Sequence, residues 1–267
     1  MSKYISIFKI SFAQETAYRA NFLMWRVRNI LQFILVFFLW DAAFNYPGKT
    51  IFGYTQDQIV TYIFGLLIVR AVVLSSRSTE VAGEIARGDL SNYLVKPMSY
   101  IKYWWTRDVS SKALNIIFAS VEFFILYLII RPNIFFQTDP IYITGFLISL
   151  GLAVVIYFLL LFITSSVPFW WPENAWGAHF LLTAIFVEFL SGAIFPLDIL
   201  PQQLLTLLSY TPFPYLVFFP IEVYLGKVEY AMLLKGLIVS IVWIVFLYYL
   251  MKRIWGNGLR VYQSHGR

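Results

Sequence analysis

Residues 191–201 read SGAIFPLDILP, and this stretch ends a long apolar run in a very hydrophobic sequence. The segment that follows is still apolar, but five prolines interrupt it: Pro196, Pro201, Pro212, Pro214 and Pro220. Because proline removes a backbone donor and clashes with the preceding turn, these positions cannot lie in one continuous spanning helix. Interrupted backbone is tolerated in hydrocarbon only where protein or a water-filled cavity covers it. The segment therefore predicts either a pair of short re-entrant or interfacial helices at one membrane face, or a hydrophobic loop in water.

The composition predicts a protein that crosses the membrane several times. Of the 267 residues, 60% are hydrophobic and 13% are charged, whereas an ordinary soluble domain is about 25% charged. The sequence contains no cysteine, so it forms no disulfide and offers no thiolate ligand to a metal. A net charge of +6 is explained by the distribution of basic residues described below, and we expect no nucleic-acid partner.

Six apolar runs predict an all-α membrane protein with six transmembrane helices. Each run is close to the ~20 residues needed to span hydrocarbon. The second run is short and contains Arg70. The predicted spans are residues 27–44, 59–74, 113–130, 141–164, 178–195 and 232–251.

Lysine and arginine predict the orientation of these spans. Fifteen basic residues fall on one predicted face, against four on the other. Cytoplasmic loops of membrane proteins carry the excess of Lys and Arg, so both termini and the loop 75–112 are predicted to be cytoplasmic. The first set is Lys3, Lys9, Arg19, Arg26, Arg28, Arg77, Arg87, Lys96, Lys102, Arg107, Lys112, Lys252, Arg253, Arg260 and Arg267, and the second is Lys49, Arg131, Lys227 and Lys235.

The N-terminal residues 1–26 are basic and moderately amphipathic. Ile5, Phe8 and Phe12 share one helical face, and Lys9 points away from it. A helix of this kind lies in the membrane interface rather than across it. A plain cytoplasmic tail is the alternative.

The costly charged residues inside the predicted spans are Arg70, Glu122 and Glu188. A charge at bilayer depth costs at least ~2.5 kcal/mol on insertion scales, so it usually faces a cavity or a partner. The two glutamates could therefore meet a cationic substrate, pair with Arg70, or be protonated and packed. Arg70 could also extend to the nearby membrane surface. We treat all three as candidates for a substrate path.

The sequence offers no catalytic or metal-binding pattern. Gly48-Lys49-Thr50 resembles the end of a phosphate-binding loop, but position 43 is alanine and the full glycine-rich turn is missing. His179 and His265 are far apart and belong to no metal-ligand motif. A membrane enzyme acting on lipids is therefore disfavoured, and we expect no metal or cofactor in this chain.

Two motifs resemble ABC-2 type transporter permeases. The first is SGAIFPLDILP with Thr211-Pro212 after it, and the second is GEIARGDLSNYLVKP at residues 83–97. The second resembles the cytoplasmic loop of the viologen- and antibiotic-exporter-like branch. The resemblance covers essentially the whole chain. It implies a single permease domain, residues 1–267, with the fold of a type V ABC exporter.

The resemblance assigns a role to each predicted segment. Residues 1–26 would form an elbow helix, residues 75–112 a coupling loop that docks in an ATPase, and residues 196–228 re-entrant outer-leaflet helices between spans five and six. The coupling candidates are Glu80, Glu84, Arg87 and Asp89, although a solvated charged loop is the alternative. The candidates in and before the re-entrant segment are Gly192, Pro196, Asp198, Pro201 and Pro212. We expect Asp198 to accept hydrogen bonds at the N-terminal end of a short helix over 201–209.

The function implied by the resemblance is export across the cytoplasmic membrane. The chain would be a permease subunit without its own nucleotide site, and ATP and Mg²⁺ would bind a separate ABC ATPase subunit. A second permease subunit, identical or similar, would complete the complex, and membrane lipids would surround it. The substrate would be an amphipathic drug, antibiotic or lipid-like molecule. An ATP-independent channel or scaffold remains the alternative.

Overall fold

The computed structural model describes residues 2–17, 19–44 and 50–263. Gly48, Lys49, His265 and Arg267, named above, lie outside the described residues. The described residues form helices and no β-strand, and one isolated bridge pairs Ile51 with Tyr54. The helices are α1 (Ser2–Ala17), α2 (Arg19–Ala43), α3 (Gln56–Val69), α4 (Glu80–Ala86), α5 (Ser91–Leu94), α6 (Tyr100–Ile130), α7 (Pro140–Thr164), α8 (Gly177–Phe180), α9 (Glu188–Leu190), α10 (Gln202–Ser209), α11 (Phe218–Tyr224) and α12 (Tyr230–Val261).

Four helical segments within the described ranges are long and apolar enough to cross a membrane. They are Gln56–Leu74, Tyr100–Ile130, Pro140–Phe169 and Tyr230–Val261. These segments contain the predicted second, third, fourth and sixth spans, so the prediction of an all-helical membrane protein is confirmed. The second span is completed by a π-helical turn, Arg70–Leu74, which follows α3.

The first and fifth predicted spans are not among these four segments. The first lies within α2 except for residue 44, and the 25 residues of α2 also include the basic positions before the apolar run. In the fifth, α8 continues through a π-helical stretch, Leu181–Val187, into α9, which ends at Leu190. The predicted end of this span at residue 195 is wrong, because the chain bends at 191–195 and Gly192 has φ +83°. The count of six spans stays a prediction.

Polar side chains set where the long helices begin. Thr55 accepts from the backbone N–H of Gln58, and the Gln58 side chain accepts from the backbone N–H of Thr55, forming a capping box at the start of α3. Ser99 caps α6 by accepting from Lys102 N. Asp139 caps α7 by accepting from Ile141 N at 2.8 Å, and Pro140 takes the first helical position.

The core is formed by α7, α12 and α11 on one side and by α2, α3 and α6 on the other. Phe64 of α3 contacts Phe33 of α2 and Phe123 of α6 edge-on, at centroid distances of 4.9 and 5.2 Å. Such edge-to-face aromatic pairs contribute about 0.5–1.5 kcal/mol beyond the area they bury. The described helices therefore pack as a bundle around large aromatic side chains.

The proline-rich segment forms the two short helices that were predicted. These are α10 and α11, which follow a 3₁₀ turn at Leu197–Ile199. Pro196 and Pro212 are buried, whereas Pro201 is exposed and immediately precedes α10. The predicted cap by Asp198 is wrong: α10 receives no side-chain capping bond, and the Asp198 carboxylate accepts from Lys227 Nζ at 3.3 Å instead. A nearby cation attracts this carboxylate more strongly than neutral amides do.

Candidate functional site

Arg70 and Glu188 form an ion pair between the second and fifth predicted spans. The guanidinium donates from Nη1 to Glu188 Oε2 at 2.9 Å and from Nη2 to Oε1 at 2.6 Å. It also donates to the carbonyl of Ala193 at 3.2 Å and to Gln32 Oε1 at 3.1 Å. Of the alternatives for Glu188, the structure therefore shows pairing with Arg70. Arg70 turns inward to this partner.

Arg26 and Glu122 form a second ion pair, between α2 and α6. Arg26 Nε donates to Glu122 Oε1 at 2.6 Å, and Nη2 donates to Oε2. The remaining Nη1 donates to Asn115 Oδ1 at 3.3 Å. The side chain of Arg26 is 5% exposed and that of Glu122 is 11% exposed. Removing one partner from such a buried pair typically costs about 3–5 kcal/mol, because the other charge stays buried and uncompensated.

The sequence identified Glu122 as costly but missed its partner. Arg26 precedes the first apolar run, so its basic charge was used only to predict orientation. The sequence did contain a signal for this pairing. A buried Glu122 needs a cationic partner, and Arg26 is followed within two turns by Asn29 and Gln32, which give the start of the apolar helix a polar side. Spacing along the chain could not reveal the pairing, because 96 residues separate the two side chains.

Both arginines border one small cavity between the helices. Glu122, Asn29 and Gln32 also line it, and its volume is about 30 Å³, which is room for roughly one water molecule. Glu188 lies behind Arg70, held by the two bonds described above. The structure thus brings together all three predicted substrate-path residues and adds Arg26 to them.

A shallow, open depression along the exposed face of α2, called the groove below, adjoins this cavity. Gln32 borders both, and the groove is otherwise lined mainly by apolar side chains: Met24, Val27, Leu31 and Leu35. These four side chains are exposed. The polar cavity and the apolar groove therefore meet at a single residue, Gln32.

In the loop 75–112, Glu84 faces inward. Its carboxylate accepts from the Tyr100 hydroxyl at 2.6 Å and is 8% exposed. Burial raises the pKa of Glu84 above its usual value, and hydrogen bonds from Tyr100 and Tyr93 oppose that rise. The geometry places this carboxylate under the loop rather than on the surface that a partner would meet.

Glu80 holds the loop against the neighbouring helices. It lies 3.2 Å from Arg77 and 3.3 Å from Arg107, and Arg77 also pairs with the buried Glu15 of α1 at 2.9 Å. The buried polar side of α1 was not predicted, because the amphipathic pattern was judged from Ile5, Phe8 and Phe12 alone. Of these three, Ile5 is 56% exposed.

Arg87 and Asp89 lie at the exposed surface of the loop. They pair with each other at 3.0 Å around Gly88, whose φ of +81° permits the turn. Their side chains are 64% and 46% exposed. Of the four predicted coupling residues, these two and Glu80 are accessible from solvent, and Glu84 is not.

The start of the stretch 191–201 is held by contacts from two other helices, α3 and α11. Gly192 O accepts from the Tyr62 hydroxyl at 2.7 Å, and Ser191 O accepts from Phe218 N at 2.8 Å. A Cβ at Gly192 would lie 2.8 Å from both the Tyr62 oxygen and Phe218 Cβ. Glycine is required here both by the positive φ and by this close approach.

A charged cluster ties the proline-rich segment to the turn before α3. The Tyr54 hydroxyl donates to Glu222 Oε1 of α11 at 2.6 Å. Lys227 Nζ donates to Asp198 and lies over the ring of Tyr54. The residues before α3, the 3₁₀ turn and α11 are therefore joined by one set of polar contacts.

The chain matches one protein-family model over most of its length. The model is described as ABC-2 family transporter protein, and the match covers residues 30–266. A comparison with curated proteins found no match. The matched region includes the three predicted substrate-path residues, the loop 75–112 and the proline-rich segment.

Proposed function

This chain belongs to the ABC-2 transporter family, and we propose on that basis that it is the permease subunit of an ATP-driven exporter. It is a multi-pass membrane protein of a family whose members normally work with an ATPase subunit. In this proposal a separate ABC ATPase binds ATP and Mg²⁺. A second permease subunit completes the substrate path. The substrate is an amphipathic drug-, antibiotic- or lipid-like molecule.

The observation that carries the proposal is the charged cavity between the helices. Four ionisable side chains, two arginines and two glutamates, are kept at the cost of burying charge among apolar helices. Polar groups of this kind inside membrane segments usually mark a transport path. Residues Arg70, Glu122 and Glu188 are the substrate-path residues in this proposal, and Arg26 joins them.

The orientation in the proposal follows from the basic residues. Fifteen lysines and arginines on one predicted face against four on the other support a cytoplasmic location for the termini and the loop 75–112. The ATPase then meets that loop at Arg87 and Asp89, which are exposed and do not bond to α6. Glu80 and Glu84 fix the loop to α6, so that a push on the loop reaches the spans.

At the other face, the proline-rich segment 196–228 acts as a cap that dips into the outer leaflet. Its many apolar side chains and its attachment through Gly192 support this placement, as does the family resemblance. Tyr54, Glu222, Asp198 and Lys227 hold the cap closed in this proposal. Release of substrate requires these contacts to loosen.

Transport in sealed vesicles tests the proposal. The permease is co-expressed with candidate ABC ATPases and purified, and a complex that forms is reconstituted for ATP-dependent transport of amphipathic fluorescent dyes. We expect ATP-dependent transport that Arg87→Glu with Asp89→Arg reduces without preventing membrane insertion. Dye flux that needs no ATP would instead support a channel, and the absence of any ATPase partner would overturn the proposal.

A further inference from the structure

We infer that the cavity and the groove on α2 together bind a long-chain amphiphile whose head group is zwitterionic. This inference rests on the proposed function, because it names the substrate class of the same path. The head group enters the cavity bordered by Arg26, Arg70 and Glu122. The alkyl chain lies along the apolar groove, and Gln32 marks the boundary between the two.

The charges around the cavity sum to zero. Arg26 and Glu122 face it as one pair, and Arg70 faces it with Glu188 bound behind. A ligand with a net charge would leave one charge uncompensated among apolar helices, and that is costly. A ligand with one positive and one negative group leaves none.

The order of the charges also suits a zwitterion. The anionic group can lie between the two guanidinium groups, which recognise phosphate and carboxylate well, and the cationic group can lie beside Glu122. Each of these contacts is a charge-assisted hydrogen bond or ion pair, which is roughly twice as strong as a neutral one. An uncharged sugar head group could hydrogen-bond to the same side chains, but it carries no charge to replace the ion-pair partners that the arginines and Glu122 would give up.

The groove supplies the apolar half of the site. Its side chains Met24, Val27, Leu31 and Leu35 are 72%, 48%, 56% and 71% exposed, and they follow one face of α2. Arg28 also borders the groove, but it already takes part in an interaction within the chain. An alkyl chain from the bilayer can therefore reach the groove sideways while its head group passes Gln32.

The cavity is too small for a head group in the conformation described here. Its volume of about 30 Å³ accommodates roughly a water molecule. Binding thus requires α2 to separate from α3 and α6, so that the arginines exchange part of their bonding to the glutamates for bonding to the ligand. Gln32 and Asn115 can keep donors on both arginines satisfied during that exchange.

Photocrosslinking to purified protein in nanodiscs tests the inference without any ATPase. Four lipid probes carry the same diazirine-labelled chains and differ in their heads: phosphatidylcholine, cationic O-ethylphosphatidylcholine, anionic phosphatidylglycerol and an uncharged monoglucosyl diacylglycerol. We expect phosphatidylcholine to label most, with the labelled peptide at residues 24–35. Equal labelling by all four probes, or preference for any of the other three, would overturn the inference.

Paired substitutions identify the side chains responsible. Arg70→Gln with Glu188→Gln removes one ion pair without leaving an unpaired charge, and we expect it to lower phosphatidylcholine labelling about tenfold. The control, Asp57→Asn with Arg131→Gln, removes one acid and one base from exposed positions and should leave labelling unchanged. If the first variant does not purify as a monodisperse protein, Gln32→Leu tests the same junction and should give the same loss. Unchanged labelling in a folded variant contradicts the inference.

Two further measurements distinguish a lipid in this site from a soluble head-group compound and from a second copy of the protein. Soluble glycerophosphocholine should not compete, because it lacks the chain that fills the groove, and competition by it would contradict the role of the groove. Crosslinking of two copies by a bis-maleimide through Leu31→Cys on α2, without lipid labelling there, would show that the groove is a subunit interface and overturn the inference. Lipid labelling as expected combined with no ATP-dependent transport would leave this site standing and refute the exporter.

Discussion

The carboxylate of Glu84 lies under its own loop, 2.6 Å from the Tyr100 hydroxyl. Its pKa is raised mainly by burial. In the folded state the neutral acid is therefore favoured relative to the unfolded chain. The stability that neutral Glu84 contributes is fully present at a pH below its pKa in the unfolded chain. It is lost as the pH rises towards and through its raised pKa in the folded protein.

Glu84→Gln tests this at the residue scale. Glutamine keeps the size of the side chain and a carbonyl that can accept from Tyr100, but it does not ionise. We expect the melting temperature of the variant, relative to the unmodified protein, to rise as the pH increases from 4 to 8. Over that range the unmodified protein loses the contribution of neutral Glu84, which the variant does not have. The measurement is thermal unfolding in detergent at several pH values.

Asp89→Asn provides the control for that measurement, since it removes a carboxylate from the exposed surface of the same loop. A constant difference between Glu84→Gln and the unmodified protein across the pH range would show that folding does not raise the pKa of Glu84. Charge reversal at Glu84 cannot report on coupling alone, because it would place a lysine in a buried position and destabilise the loop.

At the residue scale, the sequence showed which charges would be costly to bury but not which of them would form ion pairs. Arg70, Glu122 and Glu188 were identified because each interrupts an apolar run. Their pairing depends on helix packing, which brings together side chains 96 and 118 positions apart. Local patterns carry no information about such contacts, so Arg26 was missed.

At the scale of elements, α6 and α12 extend well beyond their predicted ends. Apolar periodicity predicts the part of a helix that lies in hydrocarbon, and it stops where polar residues begin. Those polar residues continue the helix outside it: α6 begins at Tyr100 instead of 113, and α12 ends at Val261 instead of 251. The short helices α10 and α11 were predicted because proline leaves a local signal.

Two glycines on α12 give a matched prediction about this extension. A Cβ at Gly258 would lie 2.2 Å from the Phe169 ring, whereas a Cβ at Gly256 would have no neighbour within 4 Å. We expect Gly258→Ala to lower the free energy of unfolding by about 1–3 kcal/mol through overpacking. Gly256→Ala should raise it by about 0.5–1 kcal/mol, because alanine restricts the unfolded chain and favours helix.

Chemical or thermal unfolding of both variants measures the difference. Trp255 lies 5.2 Å from Phe169 between ring centroids and is one of nine tryptophans, so tryptophan fluorescence follows unfolding of the whole chain, this contact included. Equal stability of the two variants would show that α12 does not pack on Phe169 as described.

At the scale of the whole molecule, the proposed outer-leaflet cap formed by residues 196–228 can be tested by measuring how accessible its side chains are to reagents in water. Helix α10 has no buried residue within the single chain, so any shielding of its apolar side must come from lipid or from a second subunit. Leu204→Cys and Leu208→Cys should react slowly with a membrane-impermeant maleimide in intact membranes. Thr206→Cys, on the polar side of the same helix, should react quickly.

The natural absence of cysteine makes each of these single-cysteine variants free of background labelling. Comparable rates at all three positions would show that the segment 196–228 is a loop in water. That outcome would remove the cap from the proposed mechanism while leaving the charged cavity unaffected.

The length of α12 has a consequence for imaging the protein by electron microscopy with a bound antibody fragment. Its 32 residues extend about 48 Å at 1.5 Å per residue, whereas the hydrocarbon layer is about 30 Å thick. We therefore expect its C-terminal turns to extend beyond the lipid, where Trp255 and the following Tyr262 pack against the loop 75–112. An antibody fragment raised against that surface would bind a fixed epitope outside the detergent layer. It would add a marker for particle alignment in electron micrographs.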